Sequence, residues 1–545
     1  MRAEQWSHKR GRRAAPADDA QLLRLIQEAA GLAPFGPQDL ARLLRRYPRV
    51  AEGGNHSGGQ FAKDQIVEAY RRFCADGRLT FDREVLRRLQ MKPIRTLSGV
   101  ATVTVLTKPF PCPGECLFCP TDARMPKSYL ADEPGAIRAE YHQFDPCATT
   151  AARLRALDNI GHATDKVELL ILGGTWSYYP ADYQEWFIRR CFDALNGVDS
   201  VTLEEAQRVN ETASHRNVGL VIETRPDYVD AAEVRRLRRY GVTKVQLGAQ
   251  SLDDRILDLN KRGHTVEQTR RAVRLLRAAG FKLHLHWMPN LLGATPAGDL
   301  DDYARLWADP GLRPDELKLY PCALVREAEL VAWYERGEYR PYSDPELIDL
   351  LAACKRQTPR YVRLNRIIRD IPAGHVVAGS TASNLREVVQ RKLAAEGGRC
   401  DCIRCREVRA AKVLGDLALT DQPYATTAGE EHFLSVNTAA DQLAGFLRLL
   451  LPDPAATAEI ELAELTGAAL IREVHVYGPA MRLGETAAGE AQHLGLGGRL
   501  LAEAERLARA AGFARLAVIA AVGTREYYRK HRFERVGLYM VKPLV

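Results

Sequence analysis

Cys112-Pro-Gly-Glu-Cys116-Leu-Phe-Cys119 decides how the rest of this chain is read. Three thiols at CxxxCxxC spacing can grip a four-iron four-sulfur (4Fe-4S) cluster through three of its irons and leave the fourth without a protein ligand. A structural zinc site is the alternative, but zinc takes four protein ligands, usually in paired CxxC spacing. Directly before the cysteines, residues 102–106 read as a strand, and similar apolar runs recur at 167–172, 218–223, 244–247 and 282–286. Charged amphipathic helices lie between them, at 231–240 and 266–279 for example, the second ending at Gly280. Repeated strand–helix units build a parallel sheet, open or curled into a partial barrel. Ligands of such sheets collect at the carboxyl ends of the strands, and the cysteines follow the first of these ends.

The open iron of such a cluster can take the amino and carboxylate groups of S-adenosylmethionine, whose reductive cleavage releases a deoxyadenosyl radical. CxxxCxxC is the signature of radical S-adenosylmethionine enzymes. Ile171-Leu-Gly173-Gly174-Thr175 ends the second strand, where paired glycines let the backbone approach the methionine amino group. Alone, a Gly-Gly pair is a plain turn; its place after the cysteines gives it weight. Two further strand ends carry Glu223-Thr-Arg225-Pro and Gln250-Ser251, polar groups suited to a ligand's ribose and carboxylate or to ion pairing at a barrel rim.

At 545 residues and 46% hydrophobic, the chain has room for several cores. The net charge is +8, and residues 1–95, with 19 Lys and Arg against 11 Asp and Glu, carry all of it. An Arg-rich helical segment of this kind contacts phosphates or is a solvated face. Met1 to Arg13 is polar and basic, with no apolar core of a signal peptide behind it, and no run of about 18 apolar residues occurs, so a cytoplasmic protein that spans no membrane is expected. Eleven cysteines, six of them in two tight groups, point to metal and away from a disulfide framework.

After about residue 416 the pattern changes to consecutive antiparallel strands at 433–436, 443–451 and 469–477. Gln492-His-Leu-Gly495-Leu496-Gly497-Gly498 then opens a long helix, 498–511, followed by a strand at 516–520. QxxGxG at a helix start offers backbone N–H groups and the helix dipole to the pyrophosphate of coenzyme A. The order is that of an acetyltransferase, in which splayed strands admit the pantetheine arm. Tyr527 and Tyr528 fall where a phenol reaches a thioester, or where a buried aromatic pair packs. Between the two regions, Cys400-Asp-Cys402-Ile-Arg-Cys405 suits a zinc ion, with Cys322 or a histidine as fourth ligand; a second iron–sulfur cluster is the rival.

Taken together and in this order, these segments resemble the Elongator catalytic-subunit family, which couples a radical S-adenosylmethionine domain to an acetyltransferase domain. The resemblance also rests on Lys92-Pro-Ile-Arg-Thr-Leu-Ser-Gly99, Val221-Ile-Glu-Thr-Arg-Pro-Asp-Tyr228, Asn260-Lys-Arg-Gly-His-Thr265 and Leu317-Lys-Leu-Tyr-Pro321. Further on it includes Arg369-Asp-Ile-Pro372, Arg472-Glu-Val-His-Val-Tyr-Gly478 and Gly523-Thr-Arg-Glu-Tyr-Tyr-Arg-Lys530, and it runs from about residue 85 to the end. It implies carboxymethylation of carbon 5 of the wobble uridine, position 34 of transfer RNA. Cys112, Cys116 and Cys119 would hold the cluster, with Gly173, Gly174, Glu223 and Gln250 toward S-adenosylmethionine. Acetyl-CoA would lie against Glu473, Val474, His475, Val476, Gln492, Gly495, Leu496, Gly497, Gly498, Tyr527 and Tyr528, with Lys166 reaching it from the radical domain. In the family's proposed mechanism, the radical takes hydrogen from the acetyl methyl, the resulting carbon radical adds to the uracil ring, and thioester hydrolysis frees coenzyme A.

The fold expected is α/β: a partial TIM-like radical barrel over 81–375, a linker with the cysteine trio over 376–415, and a GNAT-type acetyltransferase domain over 416–545. A basic helical segment over 1–80 would bind transfer RNA. An electron donor is implied as a further partner. The rival reading, a protein lysine acetyltransferase, uses the same C-terminal motifs but gives the radical domain no task.

Overall fold

Each apolar run of the first half becomes a strand in the computed structural model, which describes residues 18–49, 60–90, 96, 99–369, 371–409, 416–478 and 495–544. These strands are β1 (Ala101–Leu106), β2 (Lys166–Leu172), β3 (Arg216–Thr224), β4 (Lys244–Gln250), β5 (Lys282–Trp287) and β6 (Glu316–Leu319). A short β7 (Leu324–Val325), then β8 (Arg363–Arg366) and β9 (Val376–Ala378), follow. Strands β1 to β6 and then β8 form one sheet in sequence order with every pairing parallel, and β1 and β8 do not pair. The sheet is therefore a half-barrel with an open side.

Local chemistry sets its helices. Thr265 and Gln268 form a capping box that starts the helix Val266–Ala278, whose Val273 and Leu276 are fully buried. Asp230 caps Ala231–Arg239 in the same way, by accepting from the Glu233 N–H. Alternation along the strands is informative: in Lys282-Leu-His284-Leu-His286-Trp287 the leucines enter the apolar core while the histidines face the barrel lumen.

The second sheet contains β10 (Leu417–Thr426), β11 (Gly429–Thr438), β12 (Leu443–Pro452), β13 (Ala468–Val476), β14 (Arg515–Val518), β15 (Glu534–Val536) and β16 (Tyr539–Pro543). Its order is β10-β11-β12-β13-β14-β16-β15, antiparallel except between β13 and β14. Those two strands pair only from Ala468 with Arg515 to Ile471 with Val518. Beyond Ile471 and Val518 their pairing stops, while β13 runs on to Val476. The helix Leu496–Ala510 lays Leu500, Leu501, Ala504 and Ala508 on the sheet.

This sheet closes the amino-terminal end of the half-barrel. At Gly523 a side chain is excluded, because a Cβ would stand 2.5 Å from the Cβ of Arg216 and 2.8 Å from the backbone N and O of Asn217. Arg472 of β13 binds Asp315, just before β6, at 2.6 Å and Glu431 at 2.5 Å. Arg448 reaches Asp315 at 3.4 Å and Glu473 at 3.1 Å, and Arg277 lies 3.5 Å from Glu431. From the barrel floor Lys282 pairs with Glu473 and Glu316, and Lys244 with Glu168 and Glu316.

Four helices, Asp19–Gly31, Pro37–Arg46, Lys63–Ala75 and Arg83–Leu89, bury a separate apolar cluster that reaches Leu89, past the expected boundary at 80. Part of the basic excess is used internally: Arg72 pairs with Asp19, Arg71 with Asp158, and Arg88 donates to the carbonyls of Ala29, Ala30 and Leu32. The linker expected to be mostly loop contains the helix Leu385–Ala395, which buries Leu385, Val389 and Leu393 in the main core. The Gly-rich stretch 53–59 and Gln492 lie outside the described residues. Among the described residues no helix is long and apolar enough to cross a membrane.

Candidate functional site

At the carboxyl ends of the strands the cysteine loop meets the Gly-Gly turn. Cys112 Sγ lies 3.6 Å from Thr175 Oγ1, and Arg262 Nη1 donates to Cys116 Sγ at 3.1 Å while its Nη2 donates to the Gly248 carbonyl at 2.5 Å. Gly173 has a φ of 147°, and a Cβ there would fall 1.7 Å from Thr107 Oγ1, so only glycine fits. Arg225 binds Asp227 at 2.9 Å through Nε and Nη2, and its Nη1 packs against Gly114 with no hydrogen-bond partner. Gln250 ends β4 in a left-handed conformation, φ 69°, with its buried Oε1 equally unpartnered. Buried polar atoms without partners are costly, and a ligand seated beside the cysteine loop would satisfy these two.

The donor set fits an iron–sulfur cluster better than a single ion. Among the described residues the thiols of Cys112, Cys116 and Cys119 do not close to within 4.8 Å of one another, whereas those of Cys400, Cys402 and Cys405 do. A cubane needs its three thiolates spread; one zinc ion needs them gathered. Burial pushes the Cys119 thiol up to about 12, so iron binding there must displace a proton.

From this mouth a cavity of about 2350 Å³ runs through the barrel lumen to the second sheet. Cys119, Glu223 and Gln250 line one end, and Glu473, Val474, His475 and Tyr528 line the other. Midway stand His284, His286, Gln246 and Lys318, on strands between which the sequence reading had assigned no function. Lys318 Nζ donates to Gln246 Oε1 at 2.5 Å, and His286 Nε2 meets the same oxygen at 2.9 Å. Burial, with Glu223 opposing it, lowers the Lys318 ammonium to about 8, and burial holds both histidines well below their usual range. Period-2 polarity inside apolar strands, His284 and His286 or Glu316 and Lys318, was the signal that could have found them.

The two tyrosines separate. Tyr528 is buried and lines the cavity, while Tyr527 is 39% exposed with its hydroxyl against Gly497 at the start of the long helix. Gly495, at φ 68°, caps that helix, leaving the first-turn residues Leu496, Gly497 and Gly498 with free N–H groups. Lys166 opens β2 beside Arg216, on which Gly523 packs, and burial lowers its ammonium. His475 stacks on Phe446 at 5.8 Å, and burial lowers it to about 4. Val476 ends β13 past its pairing with β14.

The second cysteine group is gathered, but without Cys322. That residue donates its backbone N–H to Pro289 at the barrel mouth and is buried in an apolar cluster with Leu117, Leu324 and Leu330. Its place in the chain just after β6 sets it against the start of the linker at Gly379, outside the cysteine trio. What approaches the trio instead is Lys355, whose Nζ is 3.8 Å from Cys405 Sγ, and Gln390 Nε2 at 3.8 Å from the same sulfur. Hydrogen bonds from Cys400 and Cys405 hold the Cys402 thiol well below its ordinary range.

Comparison with known proteins accords with this geometry. Residues 111–298 match the model of the radical SAM superfamily and residues 314–395 that of the Radical_SAM C-terminal domain. A tRNA uridine(34) acetyltransferase of Dehalococcoides mccartyi is 46% identical over 83% of this chain and 99% of its own length. Another from Methanocaldococcus jannaschii is 42% identical over 84% and 86%. Elongator complex protein 3 of Homo sapiens is 35% identical over 84% and 87%. The solved structure of the archaeal Methanocaldococcus infernus Elp3 with an N-terminal deletion superposes with a TM-score of 0.71 at 39% identity, covering 82% of this chain and all of that one.

Proposed function

Since the chain belongs to the family of tRNA uridine(34) acetyltransferases and Elongator complex protein 3, we propose that it modifies the wobble uridine of transfer RNA by joining radical chemistry to acetyl-CoA. The observation that carries this reading is the single cavity with the cysteine loop at one end and the strands β13 and β14, where their pairing stops, at the other. A lysine acetyltransferase needs only the second end, so it leaves the lumen and the cysteine loop unexplained.

In this reading Cys112, Cys116 and Cys119 hold a 4Fe-4S cluster, and Gly173, Gly174, Arg225 and Gln250 receive S-adenosylmethionine. When bound, the cluster and S-adenosylmethionine supply a deoxyadenosyl radical. Arg262 fixes the Cys116 sulfur and places a positive charge beside it. The second sheet serves as a GNAT-type acetyltransferase domain. Glu473 to Val476 of β13 line the pantetheine arm, Gly495 to Gly498 offer N–H groups to pyrophosphate, and Lys166 reaches the same end from the barrel. Tyr528, held protonated by burial, donates its hydroxyl hydrogen toward the thioester; Tyr527 stands at the helix start and serves the phosphate end. The second sheet closes the amino-terminal end of the lumen, and RNA seated in the open side would complete the exclusion of bulk water.

Cys400, Cys402 and Cys405 would supply three thiolates to a structural zinc ion, and among the described residues no fourth His, Cys, Asp or Glu joins them. The basic N-terminal helices contribute transfer RNA contacts, and an electron donor would be a further partner. Incubation of the reconstituted protein with transfer RNA, acetyl-CoA, S-adenosylmethionine and reductant, followed by nucleoside mass spectrometry, tests the reading. A carboxymethyl group on uridine 34 is expected; acetylated lysine with unmodified RNA would give the reading up.

A further inference from the structure

Lysines 244, 282 and 318 all face the barrel lumen, yet their surroundings differ. Lys244 and Lys282 each meet two carboxylates. Among the described residues Lys318 has no carboxylate within 4.0 Å, and it spends one N–H on the Gln246 amide oxygen. An ammonium can only donate, so this contact fixes which end of the Gln246 amide faces Lys318. His286 Nε2 must then donate to the same oxygen, and its Nδ1 is left as an acceptor. That nitrogen lies 3.6 Å from Glu223 Oε1, so two acceptors stand side by side with no hydrogen between them. Among the described residues the Gln246 NH2 group makes no hydrogen bond, and Gln246 lines the cavity.

The lumen therefore presents a donor pair, Lys318 Nζ and Gln246 Nε2, beside an acceptor pair, His286 Nδ1 and Glu223. A ring carbonyl adjacent to a ring N–H complements this pattern. Cytosine offers the reverse, an amino group beside an unprotonated nitrogen. We propose, building on the transfer RNA reading above, that the target uracil enters the lumen, sets its C4 carbonyl on Lys318 and Gln246 and its N3–H on His286 and Glu223, and is selected over cytosine by that edge. Glu223 thereby contacts the substrate, a role different from the cofactor contact expected of it. The open side of the half-barrel is the way in: the same cavity is lined there by Lys63, Arg138, Arg153 and Arg155, cations suited to the flanking phosphates.

The test uses the full reconstituted chain and one transfer RNA made with uridine, N3-methyluridine or cytidine at position 34. Product is counted by nucleoside mass spectrometry, RNA affinity by gel shift, and iron content by absorbance. Wild type should modify uridine and neglect the other two. Lys318→Met should lower kcat/KM on uridine by about tenfold to a hundredfold with iron and RNA affinity unchanged. Gln246→Glu, which replaces the donor NH2 by an acceptor, should lower the uridine-to-cytidine preference by about tenfold or more, a readout that a merely structural role would not move. If Lys318→Met fails to fold, Gln246→Glu decides alone. Wild-type preference and wild-type kcat/KM in Gln246→Glu, or full activity on N3-methyluridine, would overturn the inference. A wild-type protein that modifies no uridine would instead defeat the functional reading on which it rests.

Discussion

The joint between the two sheets and the mouth of the half-barrel both bury polar groups, and they differ in how charge is paired. In the joint, Asp315, Glu316, Glu431, Glu473 and Glu168 interlock with Lys244, Lys282, Arg277, Arg448 and Arg472, so that each charge meets its opposite. At the mouth, Arg225 Nη1 and Gln250 Oε1 have no hydrogen-bond partner, and in the upper lumen, among the described residues, Gln246 makes no hydrogen bond through its NH2 group and Lys318 has no carboxylate within 4.0 Å. Desolvation penalises both regions, and both keep buried atoms without hydrogen-bond partners, Arg277 Nη1, Arg472 Nε and Glu431 Oε2 in the joint among them. The contrast is in charge: the joint sets each of its charges against an opposite one within the chain, whereas the lumen leaves Lys318 for the proposed ligand to meet.

The most severe test of that contrast removes the ligand anchors. Replacing Cys112, Cys116 and Cys119 with Ala should abolish deoxyadenosine formation while acetyl-CoA binding, measured by calorimetry, persists at the far end of the lumen. Wild-type protein that takes up no iron on anaerobic reconstitution would break the assignment of the mouth. Next comes the joint itself. Arg472→Ala leaves Asp315 with Arg448 and Glu431 with Arg277 as their remaining, longer ion pairs and should cost about 3–5 kcal/mol in urea unfolding, whereas Gln250→Ala at the mouth should weaken S-adenosylmethionine binding and leave unfolding within about 1 kcal/mol of wild type. Equal losses of stability would erase the distinction.

A smaller effect divides the tyrosines. Tyr528→Phe should slow RNA-stimulated release of free coenzyme A about a hundredfold, and Tyr527→Phe by no more than about threefold, because only Tyr528 faces the cavity. The smallest signal is in pH. Lys318 falls from 10.5 to about 8 on folding, so between those values the unfolded chain binds the extra proton and stability rises with pH. Lys244 is raised: burial pulls it down, but Glu168 and Glu316 outweigh that, so its contribution is full below 10.5 and lost only at higher pH. Unfolding of wild type relative to Lys318→Met, followed from pH 8 to 10.5, should show wild type gaining; a flat difference would mean that Lys318 is solvated.

Much of this was legible in the residues and some was not. The half-barrel could be read because buried parallel strands are short apolar runs between capped helices, and β1 to β5 fall where those runs lie. Strands β6 and β8 escaped notice because Glu316, Lys318, Arg363 and Arg366 break the apolar pattern; their polar side chains face a lumen that local sequence does not reveal. The cysteine loop and the Gly-Gly turn announced themselves by spacing. Cys322 misled because proximity to a motif in sequence says nothing of which end of a barrel a loop occupies. Arg262 and Lys318 lay inside recognised segments, but their tasks depend on partners 146 and 72 residues away.

The central claim is that one cavity lets a radical made at the cysteine loop act on an acetyl group delivered from the second sheet, in the service of uridine 34. Acetyl-CoA carrying a trideuterated methyl group tests it most directly, with S-adenosylmethionine, reductant and transfer RNA present. The account predicts deuterium in the released deoxyadenosine and a dideuterated carboxymethyl group on uridine 34, both dependent on the RNA. Deoxyadenosine without deuterium, with the label recovered intact as trideuteroacetyl groups on lysine, would contradict it.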